Sequence, residues 1–310
     1  MTKRILITGA DGYLGQWTLM EIAGDSEYAV RLGVRSNPGV TTDSHRVLLD
    51  MRDWKSISSA VQGIDTVIHL AGSSQQYCET NPEECYSVNV TGARWLRDAA
   101  ADAGVKRIIT VSTIQVFGIP MPSHIAPDTP PNPTGRYAEI HLAAENEFRD
   151  QQNPKVDIVR MSNGFGAPAT SANCWHLAVN DFCRQAVLQG AIVLKSSGTT
   201  YRNFVPIRNS AKFLARLASS TNTPPNSVRT WVFGSPQAHT LQEMAVTVAE
   251  RWHHISGTTV RIHCPSSNSD TLIPAPTLDL KSALDIGYRP THSFEEAIDT
   301  LLNSIANTDS

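Results

Sequence analysis

Ile5-Leu6-Ile7-Thr8-Gly9-Ala10-Asp11-Gly12-Tyr13-Leu14-Gly15 decides the fold. A strand-length apolar run stops at the first of three glycines spaced G-x-x-G-x-x-G, and a segment of helical period follows directly. The spacing has a physical reading. Gly9 allows the tight turn, Gly12 lets bare backbone approach a pyrophosphate, and Gly15 lets helix pack on strand. The free N–H groups and partial positive charge of the helix N-terminus face the same place. The loop therefore reads as a dinucleotide cradle, in which Asp11, Tyr13 and Leu14 join the three glycines as cofactor-binding residues.

Outward from this loop, strands and helices alternate. Arg4 to Thr8 is predicted as a strand, Gly12 to Ala23 as a helix, and Tyr28 to Val34 and Arg46 to Leu49 as strands. A helix follows Asp53, then a strand at Thr66 to His69 and a long helix from Pro82 to Ala103. A strand at Arg107 to Ser112, a helix from Gly135 to Gln152 and a strand at Val156 to Met161 complete the pattern. Right-handed crossovers make this an α/β fold, a Rossmann-type doubly wound parallel sheet. Six prolines between Ile119 and Pro133 exclude helix and central strand there and predict an ordered loop. After Ser162 the alternation lapses. Helical segments at Cys174–Gln189, Asn209–Ser219, Leu241–Trp252 and Phe294–Ala306 predict a smaller, interwoven C-terminal substrate lobe. The expected division is 1–162 for the dinucleotide-binding domain and 163–310 for the lobe.

Composition narrows the function. The 310 residues are 41% hydrophobic and 18% charged, and carry a net charge of −3 from 26 basic and 29 acidic residues. No run approaches the roughly 18 to 20 apolar residues of a membrane span, and the N-terminus lacks a secretory apolar segment. A cytoplasmic chain with a small-molecule partner is expected, with no nucleic-acid or membrane surface. The five cysteines, Cys78, Cys85, Cys174, Cys183 and Cys264, contain no C-x-x-C pair and are read as buried thiols. No H-x-x-x-H pair occurs, so no metal site is expected.

The end of the second predicted strand selects the cofactor. A carboxylate there would accept a hydrogen bond from the adenosine ribose 2′-hydroxyl and repel a 2′-phosphate. In Val30-Arg31-Leu32-Gly33-Val34-Arg35-Ser36 that position is Val34, followed by Arg35. A guanidinium beside a serine suits a phosphate dianion, so NADP(H) is expected ahead of NAD(H).

At this point the residues resemble the extended short-chain dehydrogenase/reductase superfamily, in its nucleotide-sugar epimerase, dehydratase and ketoreductase branch. Leu49-Asp50-Met51 resembles the stretch whose aspartate holds the adenine amino group, and His69-Leu70-Ala71-Gly72 resembles the loop under the cofactor. Asn89-Val90-Thr91-Gly92 matches the N-x-x-G of the long helix. Ser112-Thr113-Ile114-Gln115-Val116-Phe117-Gly118 resembles S-S-x-x-V-Y-G, and Tyr137 stands at the position of the catalytic tyrosine. The resemblance implies that Thr113 and Tyr137 are catalytic, that Asp50, Met51, Leu70, Ala71, Gly72, Asn89 and Tyr137 bind cofactor, and that the protein is a homodimer. Physically, a phenol exchanges a proton with a carbonyl oxygen while a second hydroxyl holds that oxygen and hydride moves at carbon.

The departure from the family is at the fourth residue after the tyrosine. Y-x-x-x-K is replaced by Tyr137-Ala138-Glu139-Ile140-His141. The spacing keeps both side chains on one helix face, so His141 is expected to take the lysine's catalytic and cofactor-binding place. Its charge is the open question. A free tyrosine titrates near ~10, so ionising it at neutrality takes ~3 units, about 4 kcal/mol, normally supplied by a lysine cation. Either His141 is protonated by its surroundings, or a neutral tyrosine donates its proton during ketone reduction, or redox activity is lost and a dinucleotide-binding protein remains.

In the second half, Arg160-Met161-Ser162-Asn163-Gly164-Phe165-Gly166-Ala167-Pro168 resembles R-x-x-N-x-Y-G-P, whose asparagine faces substrate. Gly198-Thr199-Thr200-Tyr201-Arg202-Asn203-Phe204-Val205-Pro206 resembles G-x-x-x-R-D-F-I-H, whose arginine clasps a pyrophosphate. Thr113, Asn163, Asn180 and Arg202 are thus the expected substrate-binding residues. A further arginine common before the closing D-x-x-K signature, here Asp279 to Pro290, is replaced by Ser266-Ser267-Asn268-Ser269-Asp270. The resulting expectation is an oxidoreductase of a sugar or sugar nucleotide, a ketoreductase drawing on NADPH, with an epimerase retaining its nicotinamide as the alternative.

Overall fold

The computed structural model describes residues 2–35, 45–150, 153–170, 174–220, 228–265 and 275–308. Its first half runs β1 (Lys3–Thr8), α1 (Tyr13–Ala23), β2 (Tyr28–Val34), β3 (Arg46–Leu48), α2 (Trp54–Ala60), β4 (Thr66–His69), α3 (Gln75–Thr80), α4 (Pro82–Tyr86), α5 (Gly92–Asp102), β5 (Arg107–Thr113), β6 (His124–Ile125), α6 (Arg136–Arg149) and β7 (Lys155–Met161). The second half adds β8 (Asn163–Phe165), α7 (Ala178–Gln189), β9 (Ala191–Val193), β10 (Tyr201–Pro206), α8 (Ile207–Ser219), β11 (Val228–Phe233), β12 (Ala238–Thr240), α9 (Leu241–Ser256), β13 (Arg261–His263), β14 (Thr277–Leu278), α10 (Lys281–Asp285) and α11 (Phe294–Thr308).

The expected parallel sheet is present, in the order β11-β7-β5-β4-β1-β2-β3. Alternation along β1 explains its two cores. Ile5 and Ile7 pack with Val159, Phe213, Trp231 and Phe233 on one face, and Leu6 packs with Val67, Leu96, Ile108 and Ile158 on the other. Both faces are covered, which is why these strands read as unbroken apolar runs. Strand order reverses between β1 and β4, so their connections leave on opposite sides and open a crevice at the strands' carboxyl ends.

One of these expectations, on the cysteines, needs correction, and three gain detail. The division at Ser162 is not a boundary of the sheet, because β11 returns from the second half to pair with β7 and α8 packs on the α1 side. The Trp231 indole fastens β11 by donating to Asp157, 2.7 Å away. The long helix is continuous but contains a π-turn at Ser87–Thr91 between α4 and α5. The proline-rich loop holds the short strand β6, paired with β14. The cysteines are not all buried thiols: α3 and α4 meet at a sharp corner that brings Cys78 and Cys85 together as a disulfide, and Cys264 is exposed.

The second-half lobe has its own core, including Phe165, Phe182, Phe204, Met244, Trp252 and Leu301. It is stitched to α1, since the Tyr13 hydroxyl donates to the Gly166 carbonyl (2.7 Å) and the Trp17 indole to that of Ala167 (2.9 Å). Among the described residues no helix is long and apolar enough to cross a membrane.

Candidate active site

The glycine loop lies at the floor of the crevice. Gly9 sits at φ +66°, and a side chain there would also strike the Ala71 backbone at 2.9 Å. A Cβ on Gly15 would lie 2.2 Å from the Gly9 carbonyl, so the start of α1 closes on the loop only with glycine at that position. Gly12 begins α1 with no side-chain cap, which leaves the first-turn N–H groups of an 11-residue helix for an anion. Two hollows of about 1110 and 1690 Å³ share Tyr13, Leu14, Ser74, Val111, Ser112 and Tyr137, and so form one groove past this cradle. Leu70, Ala71, Gly72 and Asn89 line it as expected. Asn89 also accepts from the Ser73 N–H at 3.0 Å, fixing the loop after β4.

Thr8 organises that loop. Its Oγ1 accepts from the N–H groups of Leu70 (3.1 Å) and Ala71 (3.0 Å), which leaves its single hydrogen for Nδ1 of His69 at 2.8 Å. Nδ1 of His69 is thus an acceptor, and the ring is neutral. Burial, together with the neighbouring His141, holds it down at about 4.

Thr113 ends β5, and its Oγ1 accepts from the Gln115 N–H at 3.1 Å, which turns the chain into a short 3₁₀ segment and leaves the threonine hydrogen free. Tyr137 lies in the first turn of α6, and both residues line the same part of the groove. Burial pushes the Tyr137 phenol up to about 12. His141 lies one turn on, its ring edge-on to Tyr137 at 4.4 Å. Its Nε2 is shut off from solvent with no partner among the described residues, and burial lowers the ring to about 4, against a smaller opposing pull from Glu145. Glu145 holds it up little because Arg160 grips that carboxylate through Nε and Nη2, the latter at 2.8 Å. Burial thus works against a protonated His141. Nε2 of His141 and Oγ of Ser112, both buried, unpartnered and on the groove wall, fit the hydroxyls of a bound nicotinamide riboside.

At the expected adenosine end, Val34 is buried and Arg35 exposed. Asp50 is held by Arg52 through both oxygens (2.9 and 3.0 Å), which keeps its carboxyl below the usual range. The Met51 side chain packs under Gly92 in the core, so it offers no side-chain contact to a cofactor. Asp11 forms an ion pair with Arg46 of β3. Ser36 and Ser266–Asp270 lie outside the described residues.

On the substrate side, Asn163 lines the groove and donates to the Asn203 carbonyl at 2.8 Å, and Arg202 reaches the same wall. Asn203 stands where an aspartate was expected because it must both donate to the Ser235 carbonyl (2.7 Å) and accept from the Ser235 N–H (2.9 Å). Asn180 is a correction. It is wholly buried, with Oδ1 and Nδ2 spent on the backbone of Gly166 at 3.0 and 3.1 Å, and it positions the Tyr13–Gly166 junction instead of meeting substrate.

Sequence reasoning missed His69, Glu145, the Asp11–Arg46 pair and the wall built by Gln75, Gln76, Glu79 and Thr80. Glu145 alone had a signal, standing four residues beyond His141 on the face that begins at Tyr137.

The chain is 31% identical to the UDP-glucose 4-epimerase of Bacillus subtilis over 180 residues, 53% of each protein. It spans about half the length of the curated relatives it matches. Among solved structures, MoeE5 in complex with UDP-glucose and NAD superposes at a TM-score of 0.82 and 21% identity, covering 99% of this chain and 100% of that one. RMD from Pseudomonas aeruginosa complexed with NADPH superposes at 0.78 and 18%, with 99% and 100% covered. At these identities the structural likeness is one of fold. Residues 5–229, which carry both the glycine loop and the tyrosine-bearing helix, match the NAD dependent epimerase/dehydratase family, and the chain belongs to it.

Proposed function

We propose that the protein is a ketoreductase of a keto sugar, free or nucleotide-linked, with Tyr137 as proton donor and NADPH as hydride source. The observation that carries this reading is the His141 ring packed edge-on against Tyr137, with burial disfavouring charge on both groups. With its phenol near 12, on the order of one molecule in 100,000 carries a tyrosinate at neutral pH. A phenol that keeps its proton can give it to a developing alkoxide, whereas it is a poor base for starting from an alcohol. The nicotinamide supplies the hydride when bound; the chain supplies the proton from Tyr137 Oη and a grip on the carbonyl oxygen from Thr113 Oγ1. The relatives' names favour a second reading, an epimerase on the same residues, but that reaction opens with Tyr137 as base. Mixing protein, NADPH and keto sugars separates the two: net loss of NADPH absorbance supports reduction, and sugar interconversion without it supports epimerisation.

His141 gives a pH test. Reduction by the native chain is expected to stay flat between about pH 6 and 8, because no proton leaves His141 or Tyr137 there. His141→Lys restores a cation beside the phenol and should bring the alkaline limb down by about one pH unit or more. A native limb at about pH 6 to 7 that His141→Lys removes would sink the neutral-imidazole account.

For the cofactor, the support is Arg35 after a buried Val34, with Arg46 close to the glycine loop. Arg35→Gln is expected to weaken NADPH binding roughly tenfold, the worth of one charged hydrogen bond, and NADH binding by less than about twofold. Fluorescence titration measures both. Equal losses for the two nucleotides would remove Arg35 from 2′-phosphate recognition.

A further inference from the structure

The part of the groove wall that α3 supplies hangs on a single buried residue. Gln75, Gln76, Glu79 and Thr80 line the groove and are exposed, and Cys78 is the one buried residue of the helix. The next helix repeats the pattern, with Cys85 its one buried residue. Pro82, which has no N–H to give, opens α4 directly after the corner at Asn81 and interrupts the hydrogen-bond ladder between the two.

Helices of six and five residues do not hold themselves in water, so what fastens α3 sets where its side chains stand. The fastening is the Cys78–Cys85 bond, which is seated on Val90 and Ile140 in the cluster against which Tyr137 packs. The side-chain hydrogen bonds that leave α3 are weaker ties. Tyr77 donates to Glu84, which reaches only the other short helix, and Gln115 donates to Gln75 across 3.4 Å. Two free thiols would keep their apolar burial but would no longer bar the corner from opening.

Resting on the reading above only in taking this groove as the substrate site, we infer that the Cys78–Cys85 bond is a redox-sensitive fastening of its wall. Oxidised, it holds α3 ready to meet substrate; reduced, it lets α3 loosen while the glycine cradle across the groove stays formed. The reductant is a dithiol. It gives up two electrons and two protons and closes to its own disulfide, and the Cys78–Cys85 bond becomes two thiols. Both sulfurs are buried, so the attack waits on local opening of α3.

Hydrogen exchange read by mass spectrometry, with and without dithiothreitol, reports on the wall and needs no substrate. Reduction is expected to speed exchange at the amides of residues 78–81 about tenfold or more and to leave α1 within about twofold. Cys78→Ala combined with Cys85→Ala should match the reduced native chain and ignore dithiothreitol. That variant keeps the exposed thiol of Cys264, so a response to dithiothreitol that survives in it would overturn the assignment to this bond. The native chain in its two redox states carries the test should the double variant fail to fold. NADPH oxidation with keto sugars reads the consequence: KM should rise about fivefold or more on reduction, with NADPH affinity within about twofold. Unchanged exchange in α3, an unchanged KM, or Cys78 and Cys85 found as free thiols by alkylation of protein purified without reductant overturns the inference. If α3 loosens as expected and no keto sugar is consumed in either state, the reductase reading fails alone and the fastening stands.

Discussion

Tyr137→Phe is expected to lower ketone reduction about a thousandfold while leaving dinucleotide affinity within about twofold. The substitution removes only the hydroxyl. The ring packs beside Cys78, Cys85, Val90 and Ile140 and against His141, contacts that phenylalanine keeps, so the groove should hold its shape. On the proposed mechanism what is lost is the proton donor to the developing alkoxide, and general acid catalysis typically contributes 10²- to 10⁴-fold. Thr113 would continue to donate one hydrogen bond, which accounts for residual activity. Steady-state rates with saturating NADPH, alongside fluorescence titration of the cofactor, make the measurement. Retention of more than about a tenth of the native rate would show that the proton comes from elsewhere.

The second large effect is on stability in acid. His69 is nearly inaccessible, and its Nδ1 already accepts the Thr8 hydrogen, so a proton there would face a hydroxyl with no lone pair to spare. Above about pH 6.5 the ring is neutral in both folded and unfolded chains and contributes nothing to the pH dependence. Below that value the unfolded chain takes up a proton that the folded one refuses until about pH 4. Stability is therefore lost as pH falls through this window, by roughly 3 kcal/mol in full. Because buried His141 is held down over the same range, urea unfolding at about pH 7 and 4.5 should show a larger loss than this for the native chain, and one smaller by His69's share for His69→Asn. The comparison of slopes discounts both the carboxylates that titrate lower and any constant cost of the substitution. Equal losses in the two proteins would mean that His69 accepts its proton in the fold.

Much of the site was legible before any coordinates. The glycine spacing picked out Gly9 and Gly15, where the turn and the close approach of α1 leave no room for a side chain, because each answers a local requirement of backbone geometry. Thr113 and Tyr137 were found because strand end and helix start set their positions, and both line the groove. Asn180 misled for the opposite reason. Helical period placed it on α7 but did not say that the inward face would be used to bind Gly166, fourteen residues back. Nor did the sequence show that Asp50 is gripped by Arg52 or that the Met51 side chain packs beneath Gly92. The return of β11 to the main sheet was hidden because its partner β7 lies some seventy residues earlier.

From the sequence alone come the doubly wound sheet, the glycine loop at its carboxyl end, and the placing of Tyr137 and Thr113 at a helix start and a strand end. These depend on neighbours within a turn or a strand, where spacing dictates geometry. Only the tertiary structure decided that His141 is packed against Tyr137 with its Nε2 unpartnered among the described residues, that Asn180 is spent on Gly166, and that Arg202 is the one arginine or lysine on its wall. Charge state and ligand preference follow from burial and from partners distant in the chain, such as Arg160 on Glu145 and Thr8 on His69, and those are set when the chain closes on itself.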